Sequence, residues 1–311
     1  MKVLITGASG FVGQAIVAEL AARGHETVTV GGPRSRNCDH SIDISDAPIV
    51  DALSEKKGVD AVVHAAGIAH RFGGVSAEEF QRVNVQGVEN VASLAVKLGA
   101  KHFVLFSSTL VYGRRAEGGV ITENDEGRPF DSYGQSKLDG EAAARAICEP
   151  AGIALTIFRP APIIGEGSKG NFARLIKAID RRRFVWVGNG DNWKSVVFIG
   201  DVAAATADVN EKGGNGTQTF NLAGDAVRMK DIVDTIAEKL GRRAPNIHLP
   251  AGPLRAVLTL GPFDRLSATL ETWLSEDVYS NARLQDAYGF KPSTSLGTAI
   301  GSEVEYYLKH K

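Results

Sequence analysis

The sequence is poor in cysteine and carries almost no net charge. Its 311 residues include two cysteines, Cys38 and Cys148, which show neither a CxxC spacing nor a neighbouring histidine cluster. We therefore expect neither a disulfide framework nor a metal site. The formal net charge is −1, so no overall positive field attracts nucleic acid or an anionic membrane, and any anion-binding site must be local.

Long apolar runs are also absent. No stretch reaches the ~18 consecutive apolar residues of a membrane-spanning helix. The first residues, Met1–Thr6, run directly into a predicted strand without a recognisable signal peptide. Unpaired thiols suit a reducing compartment. We therefore expect a cytoplasmic protein that binds neither nucleic acid nor membrane.

Short apolar runs alternate with helical patterns over roughly the first half of the chain. This alternation predicts βαβ units around a parallel sheet, and continuous apolar strands fit a sheet that is covered on both faces. The predicted strands are Val3–Thr6, Thr27–Val30, Ala61–Ala65, Phe103–Ser107 and Ala154–Phe158, and the predicted helices are Val12–Ala22, Glu79–Leu98 and Tyr133–Ile147.

The alternation breaks down after Arg159-Pro160. Beyond it we predict a helix Asp201–Val209 with Asp201 as its N-cap, strands at Val196–Ile199 and Thr217–Leu222, and a helix at Met229–Leu240. The fold class is therefore α/β, a Rossmann-type doubly wound parallel sheet with a smaller C-terminal substrate-binding lobe. The predicted Rossmann domain comprises residues 1–164 and about 196–224, and the lobe comprises about 165–195 and 225–311.

A glycine-rich loop, Gly7-Ala8-Ser9-Gly10-Phe11-Val12-Gly13, lies between the first strand and the first helix. In this context Gly7 permits a tight turn, Gly10 lets the backbone approach a pyrophosphate, and Gly13 lets the helix pack closely on the strand. Free N–H groups at the helix N-terminus would bind the phosphates. The spacing is GxxGxxG rather than GxGxxG, so a purely structural turn is the alternative to dinucleotide binding.

The end of the second strand bears on the choice between NAD and NADP. An acidic residue there would bind the ribose 2′-hydroxyl and select NAD. This strand instead ends at Gly31, with Arg34 and Arg36 just beyond, and guanidinium groups can bind a 2′-phosphate. NADP is therefore favoured and NAD is possible, a solvated loop being the alternative. Asp43-Ile44 would cover the adenine, although Asp43 is equally consistent with a capping or loop carboxylate.

Tyr133 and Lys137 are four residues apart on a predicted helix and so share one face. A tyrosine has an unperturbed pKa of about 10, which a nearby lysine and an oxidised nicotinamide would lower. Tyr133 could then exchange a substrate hydroxyl proton while a hydride moves. Ser108, at the carboxyl end of a predicted strand, is the candidate for orienting the reacting oxygen, and Thr109 is the second choice. Turn capping is the alternative role of these hydroxyls.

Together these motifs resemble the extended short-chain dehydrogenase/reductase family, in its nucleotide-sugar epimerase/dehydratase group. The resemblance spans nearly the whole chain. The matching segments are Thr6–Gly13 (TGASGFVG), Asp43-Ile44, His64–Gly67 (HAAG), Asn84-Val85 with Gly87, Ser107–Gly113 (SSTLVYG), Tyr133–Lys137 (YGQSK), Arg159-Pro160, Lys194–Asp201 (KSVVFIGD) and Gly289–Pro292.

The resemblance implies roles for the matched positions. Ser108, Tyr133 and Lys137 match a catalytic Ser-Tyr-Lys set, and Asn171 and Lys194 match positions that hold the diphosphate of a sugar nucleotide. A homodimer packed through the Tyr133 helix and the Glu79–Leu98 helix is also implied. Besides the glycine loop, Arg34, Arg36 and the Tyr-Lys pair, the implied cofactor contacts are Asp43, Ile44, Ala65, Ala66, Gly67, Asn84, Ser107, Pro160 and Ile163.

Departures from the family pattern narrow the expected reaction. Dehydratases of this group carry Thr-Asp-Glu before Val-Tyr-Gly, whereas this chain has Ser108-Thr109-Leu110, so 4,6-dehydration is not expected. Pro162 stands where the family often has asparagine. The missing NAD-selecting acid favours an NADPH-dependent 4-keto-sugar-nucleotide reductase. The main alternative is an NAD-dependent UDP-sugar 4-epimerase, and the remaining ones are a non-catalytic dinucleotide sensor and a small-ketone or sterol-type dehydrogenase.

Overall fold

The computed structural model describes residues 1–46, 48–56, 58–68, 74–114, 118–168, 170–259 and 270–311. Strands and helices alternate along most of this chain. The strands are β1 (Lys2–Thr6), β2 (Glu26–Gly31), β3 (His40–Ser41), β4 (Ala61–His64), β5 (His102–Phe106), β6 (Val120–Ile121), β7 (Ala154–Pro160), β8 (Ile163–Ile164), β9 (Trp186–Val187), β10 (Trp193–Ser195), β11 (Val197–Phe198), β12 (Thr217–Leu222), β13 (Ala226–Arg228), β14 (His248–Leu249) and β15 (Val278–Tyr279).

The helices cover both faces of the main sheet and build most of the lobe. A π-helical segment, Arg82–Gln86, joins two of them, and a 3₁₀ turn, Thr109–Tyr112, follows β5. The α-helices are α1 (Phe11–Ala22), α2 (Pro48–Leu53), α3 (Ala77–Gln81), α4 (Gly87–Leu98), α5 (Ser132–Cys148), α6 (Asn171–Asp180), α7 (Ile199–Lys212), α8 (Met229–Lys239), α9 (Ala251–Thr259), α10 (Ala282–Tyr288) and α11 (Leu296–Lys309).

Seven parallel strands form the central sheet in the order β12-β7-β5-β4-β1-β2-β3. Strand β1 lies between β2 and β4, with Val3 opposite Thr27 on one side and Ala61 on the other. The direction in which successive strands are added therefore reverses at β1. Ligands of open α/β sheets bind at such a reversal, outside the carboxyl ends of the strands. The predicted Rossmann-type α/β fold is confirmed.

Alternate side chains of the sheet enter two separate cores. Leu4 of β1 packs with α4 and α5, whereas Val3 and Ile5 pack with α1 and α7. All three side chains are fully buried. A parallel sheet covered on both faces needs strands that are apolar throughout, which is why these strands could be recognised as continuous apolar runs.

The C-terminal lobe has its own core, formed largely by α6, α8 and α11. The chain does not stay in the lobe, however. Leu284, Tyr288 and Phe290, which the predicted boundaries assign to the lobe, pack in the core of the main sheet. The segment from α10 to Phe290 therefore ties the lobe to the Rossmann domain.

The prediction that Asp201 caps a helix at its N-terminus is wrong. Helix α7 begins at Ile199, and Asp201 lies inside its first turn. The Asp201 carboxylate accepts hydrogen bonds from the backbone N–H and the hydroxyl of Ser293, at 3.1 and 2.8 Å. A contact with a segment far along the chain thus takes the place of the local cap.

The close contact between β1 and α1 gives the first test. A β-carbon on Gly13 would lie 2.1 Å from the Gly7 carbonyl oxygen, so Gly13→Ala should lower the free energy of unfolding by about 3 kcal/mol. Gly301→Ala is the matched control: it adds a methyl group inside α11 with only ordinary contacts, and should stabilise the protein by about 0.5–1 kcal/mol. Urea unfolding measures both, and equal stabilities would contradict the packing argument.

Candidate active site

The glycine loop forms an open helix terminus. Gly10 is the N-cap of α1 and offers no side-chain hydrogen bond to the first turn, so the N–H groups of that turn remain available. Gly7 has a left-handed φ of 74°, and a β-carbon there would lie 2.6 Å from the backbone nitrogen of Ala66. The loop therefore lies directly against the chain that follows β4. An open helix N-terminus without obstructing side chains fits the pyrophosphate of a dinucleotide.

The loop after β2 leaves no room for an acidic residue at its end. A β-carbon on Gly31 would lie 2.4 Å from the β-carbon of Ser35. The Ser35 hydroxyl donates a 2.7 Å hydrogen bond to Ser9 of the glycine loop, a contact that sequence reasoning missed. Arg34 and Arg36 are exposed, and among the described residues neither side chain has a hydrogen-bond or ion-pair partner. Both guanidinium groups are therefore available to an anionic ligand.

Asp43 and Ile44 pack against the π-helical segment and the start of α4. Asp43 accepts hydrogen bonds from the N–H and the hydroxyl of Ser45, at 3.0 and 2.6 Å, and from Arg82 at 3.3 Å. The Ser45 hydroxyl contributes most to a lowered pKa of Asp43. Ile44 is buried against Gly87. These contacts match the loop-carboxylate alternative, and the contact with adenine stays a prediction.

Tyr133 and Ser108 are brought together at the start of α5. Asp131 caps this helix by accepting a 2.7 Å hydrogen bond from the N–H of Gly134, which places Tyr133 in the first turn. Burial disfavours the phenolate and raises the pKa of Tyr133 to about 12, while the neighbouring Ser108 side chain acts in the opposite direction. Ser108 accepts a 3.2 Å bond from the N–H of Leu110.

Lys137 lies one turn along the same helix, and its ammonium group donates a 2.9 Å hydrogen bond to the carbonyl oxygen of Phe106, the last residue of β5. Burial lowers the pKa of Lys137 to about 8, while the negative charge of Glu141 opposes the change. The expectation that Lys137 lowers the pKa of Tyr133 is not met in this structure, because the ammonium bonds to the strand end and desolvation dominates at the phenol.

Asn84 supports the same site from the π-helical segment. Its amide oxygen accepts a 2.8 Å bond from the N–H of Ile68, and its amide nitrogen donates to the carbonyl of Ile68 and to the hydroxyl of Ser136. A side chain on Gly67 would lie 3.0 Å from Asn84 and 3.2 Å from the Lys137 ammonium. The predicted helix Glu79–Leu98 is therefore interrupted where it meets the site, as π segments frequently are.

A buried carboxylate that sequence reasoning missed lies behind these residues. Glu141 accepts hydrogen bonds from the Ser107 hydroxyl at 2.6 Å and from the Arg159 guanidinium at 2.9 and 2.6 Å. The Arg159 and Glu141 side chains are only 8% and 3% exposed. The spacing Tyr133, Lys137, Glu141 places all three on one face of α5 and was the signal available in the sequence. Ser107, one of the predicted cofactor contacts, is thus bonded to Glu141 in this network.

Thr109, Pro160 and Ile163 lie on the other side of the strand ends. The Thr109 hydroxyl is buried and donates a 3.1 Å hydrogen bond to the Pro160 carbonyl. Ile163 pairs with Val197 in the short sheet of β8 and β11. Thr109 therefore stabilises the turn at the end of β7, as the turn-capping alternative implies.

The two predicted diphosphate contacts lie on separate elements of the lobe. Asn171 is the exposed first residue of α6. Lys194 in β10 is 13% exposed and donates to the Thr272 carbonyl at 2.8 Å, to the Ser275 hydroxyl at 2.9 Å and to the Asp277 carboxylate at 2.5 Å. Burial lowers its pKa, and Asp277 opposes this. To bind a phosphate, Lys194 must share or exchange its bond to Asp277.

The described part of the chain contains neither a cluster of metal-ligating side chains nor a helix able to span a membrane. No group of three His, Cys, Asp or Glu side chains there could hold a metal ion. No helix in the same residues is long and apolar enough to cross a bilayer.

The buried ion pair gives the second test. Glu141→Gln leaves the Arg159 charge buried without its counter-charge, so the free energy of unfolding should fall by about 3–5 kcal/mol. Glu126→Gln is the matched control, because its pair with Arg128 joins side chains that are more than 70% exposed and should matter little. Urea unfolding measures both variants, and similar losses would show that the buried pair has no special role.

Similarity to known proteins identifies the family of this chain. A family model described as the NAD dependent epimerase/dehydratase family matches residues 3–223. The N-acetyl-α-D-glucosaminyl-diphospho-ditrans,octacis-undecaprenol 4-epimerase of Escherichia coli O157:H7 is 31% identical over 253 residues, which cover 80% of this chain and 75% of that protein. The UDP-glucose 4-epimerase of Vibrio cholerae is 26% identical over 325 residues, covering 99% and 96%.

A solved structure extends the likeness to the whole chain. MoeE5 in complex with UDP-glucuronic acid and NAD is similar with a TM-score of 0.79 and 25% sequence identity, covering 100% of both chains. The family match alone spans well over half of this sequence. The protein is therefore an enzyme of the extended short-chain dehydrogenase/reductase type and belongs to the NAD-dependent epimerase/dehydratase family.

Proposed function

We propose that the protein is a 4-epimerase, which inverts the C4 hydroxyl of a hexosyl diphosphate with the help of a nicotinamide dinucleotide. The observation that carries this proposal is that α5 brings Tyr133 next to Ser108 and places Lys137 at the end of β5, with the open glycine loop following β1 in the same sheet. The assignment to C4 is supported by the two relatives above, which are both 4-epimerases.

The chain's own residues divide the chemistry between them. The glycine loop would hold the pyrophosphate, and Gly67, Asn84 and Lys137 would surround the nicotinamide end, where the cofactor supplies a site that accepts and returns hydride. Ser108 would hold the reacting oxygen by a hydrogen bond while Tyr133 takes or gives its proton. Because burial raises the pKa of Tyr133, removing its proton requires a further positive charge nearby, which an oxidised nicotinamide would supply when bound.

The substrate is proposed to be a nucleotide sugar. The common feature of UDP-glucose, UDP-glucuronic acid and the diphospho-undecaprenol substrate in the relatives' names is a sugar joined to a diphosphate. Asn171 and Lys194 would contact that diphosphate. A polyprenyl diphosphate sugar is the alternative substrate, supported by the relative at 31% identity.

A second candidate function is the NADPH-dependent reduction of a 4-keto sugar nucleotide. It is favoured by the loop after β2, where Ser35 fills the space of an NAD-selecting acid while Arg34 and Arg36 are exposed and without partners among the described residues. A reductase takes NADPH from solution and releases NADP, whereas an epimerase keeps its dinucleotide through the catalytic cycle. The two candidates therefore differ in a property of the purified protein.

A homodimer and a cytoplasmic location complete the proposal. Val96, which is 41% exposed on α4, offers apolar surface beside α5 for a partner copy. The free thiols of Cys38 and Cys148 suit a reducing compartment. Sedimentation velocity distinguishes the dimer from a monomer.

The catalytic assignment is tested by Tyr133→Phe, which removes the exchangeable proton but keeps the ring. Turnover should fall by about 10²–10⁴-fold, because general acid–base catalysis is lost. Tyr306→Phe, on the exposed surface of α11, is the matched control and should leave turnover unchanged. The turnover of both variants is measured as C4 epimerisation of UDP-hexoses and, separately, of UDP-N-acetylhexosamines. Near-normal turnover by Tyr133→Phe would remove the phenol from the mechanism.

The choice between epimerase and reductase is tested by denaturing the purified protein and identifying the dinucleotide it releases. The epimerase should release close to one equivalent of dinucleotide and interconvert C4 epimers without added cofactor. A protein that emerges empty, and oxidises added NADPH only with a 4-keto sugar nucleotide, would overturn the epimerase and establish the reductase.

The arginine loop is tested on its own. If Arg34 binds a 2′-phosphate, Arg34→Ala should weaken NADP binding far more than NAD binding in a direct titration of the dinucleotide-free protein. Arg23→Ala is the control for the loss of a positive charge near α1, because the Arg23 side chain pairs with Asp208 and Glu211 of α7. An equal effect of Arg34→Ala on both dinucleotides would end the argument for NADP.

A further inference from the structure

Two segments of the lobe run side by side at its surface. Residues 181–188 follow α6 and include β9, and residues 241–250 follow α8 and include β14. The two strands pair in parallel, with His248 opposite Trp186. The N–H of Trp186 also donates to the Ile247 carbonyl at 2.8 Å. We refer to these two segments together as the arginine face.

The arginine face exposes aliphatic side chains. Ile247 is 60% exposed, Leu249 44% and Val185 38%. Side chains alternate along a strand, so these three lie on one side of the pair. Trp186 lies on the other side, 4% exposed, with its ring 5.0 Å from that of Phe184. The fold thus buries Trp186 and leaves Val185, Ile247 and Leu249 in solvent.

The same surface carries a concentration of positive charge. Residues 181–188 and 241–250 contain five arginines and no acidic residue: Arg181, Arg182, Arg183, Arg242 and Arg243. All five are exposed. In the part of the chain that the structure describes, only Arg242 is ion-paired, with Asp180. The carboxylates nearest along the chain are Asp180 itself, which also binds Lys311, the exposed Glu238 near the end of α8, and the exposed Asp191, which accepts a hydrogen bond from Asn189.

One of these arginines occupies a position that favours glycine. Arg182 has a φ of 55°, and it is the only non-glycine residue with positive φ among those described. The left-handed conformation just after a helix is usually filled by glycine, because any β-carbon there is strained. The chain therefore keeps arginine at the middle position of Arg181-Arg182-Arg183 at some cost in stability.

We propose that the arginine face binds an anionic lipid bilayer. Val185, Ile247 and Leu249 enter the headgroup region, and the unpaired guanidinium groups bind the lipid phosphates. Exposed aliphatic residues beside a basic cluster are the combination that interfacial membrane binding requires. The net charge of −1 suggested that no membrane would be bound, but that argument concerns the whole chain and not one face. Binding does not depend on the proposed reaction, so it can be tested without substrate.

The test is flotation of the purified full chain with vesicles of phosphatidylcholine, with and without phosphatidylglycerol. The protein should float with the phosphatidylglycerol vesicles, less so as salt is raised, and weakly with phosphatidylcholine alone. Each arginine near such a surface contributes about fivefold to partitioning, so Arg181→Gln/Arg183→Gln should lose ~25-fold. Lys97→Gln/Lys101→Gln removes the same charge from the Rossmann domain and should leave partitioning unchanged.

Arg182→Gly separates loss of binding from loss of folding. The substitution relieves the strained backbone, so the midpoint of thermal unfolding should stay constant or rise. Partitioning should nevertheless fall about fivefold. Ile247→Ser/Leu249→Ser should also reduce flotation, because the inserted aliphatic groups are lost.

Three results would overturn the proposal. The first is absence of flotation with phosphatidylglycerol vesicles at low salt. The second is an equal effect of the arginine and lysine double variants, which would mean that only total charge matters. The third is flotation unaffected by Ile247→Ser/Leu249→Ser, together with dissociation of an oligomer in sedimentation velocity. That last result would assign the face to a second copy of the chain.

Discussion

The hydrogen-bond network of Glu141, Arg159 and Ser107 joins the three elements that carry the candidate active site. Glu141 belongs to α5, Arg159 to β7, and the Ser107 hydroxyl that completes the network follows β5. A buried ion pair adds little stability compared with apolar residues of the same volume, because both charges lose their hydration. This ion pair instead fixes geometry, because a bidentate hydrogen bond between guanidinium and carboxylate permits few relative positions of α5 and β7. The positions of Tyr133 and Lys137, on the same helix as Glu141, are fixed by that constraint.

The same lack of hydration favours the neutral forms of the Tyr133 and Lys137 side chains. Burial raises the pKa of Tyr133 to about 12 and lowers that of Lys137 to about 8. Each group is therefore sensitive to any charge that enters the cleft, because little water is present to screen it. Glu141, one turn beyond Lys137, already acts in this way by favouring the ammonium form. The pKa values of such a site respond strongly to the charge of a bound cofactor.

Features encoded by neighbouring residues could be predicted from the sequence, and features that depend on distant contacts could not. The parallel strands and the glycine loop were recognisable because apolar runs and glycine spacing are local signals. The carboxylate of Asp201 bonds to Ser293, and the hydroxyl of Ser35 bonds to Ser9. No local sequence signal near Asp201 or Ser35 indicates which residue it bonds to. The π-helical turn around Asn84 likewise depends on what that side chain meets in the fold.

The position of β12 at the edge of the sheet has a consequence for how the chain folds. Six residues of β12 pair with β7, although the lobe's first segment separates the two strands in sequence. Phe220 of β12 then packs against Tyr288, close to the end of the chain. The core of the Rossmann domain is thus completed by residues that follow most of the lobe in the sequence. The sheet can be fully covered only after those lobe segments have been synthesised.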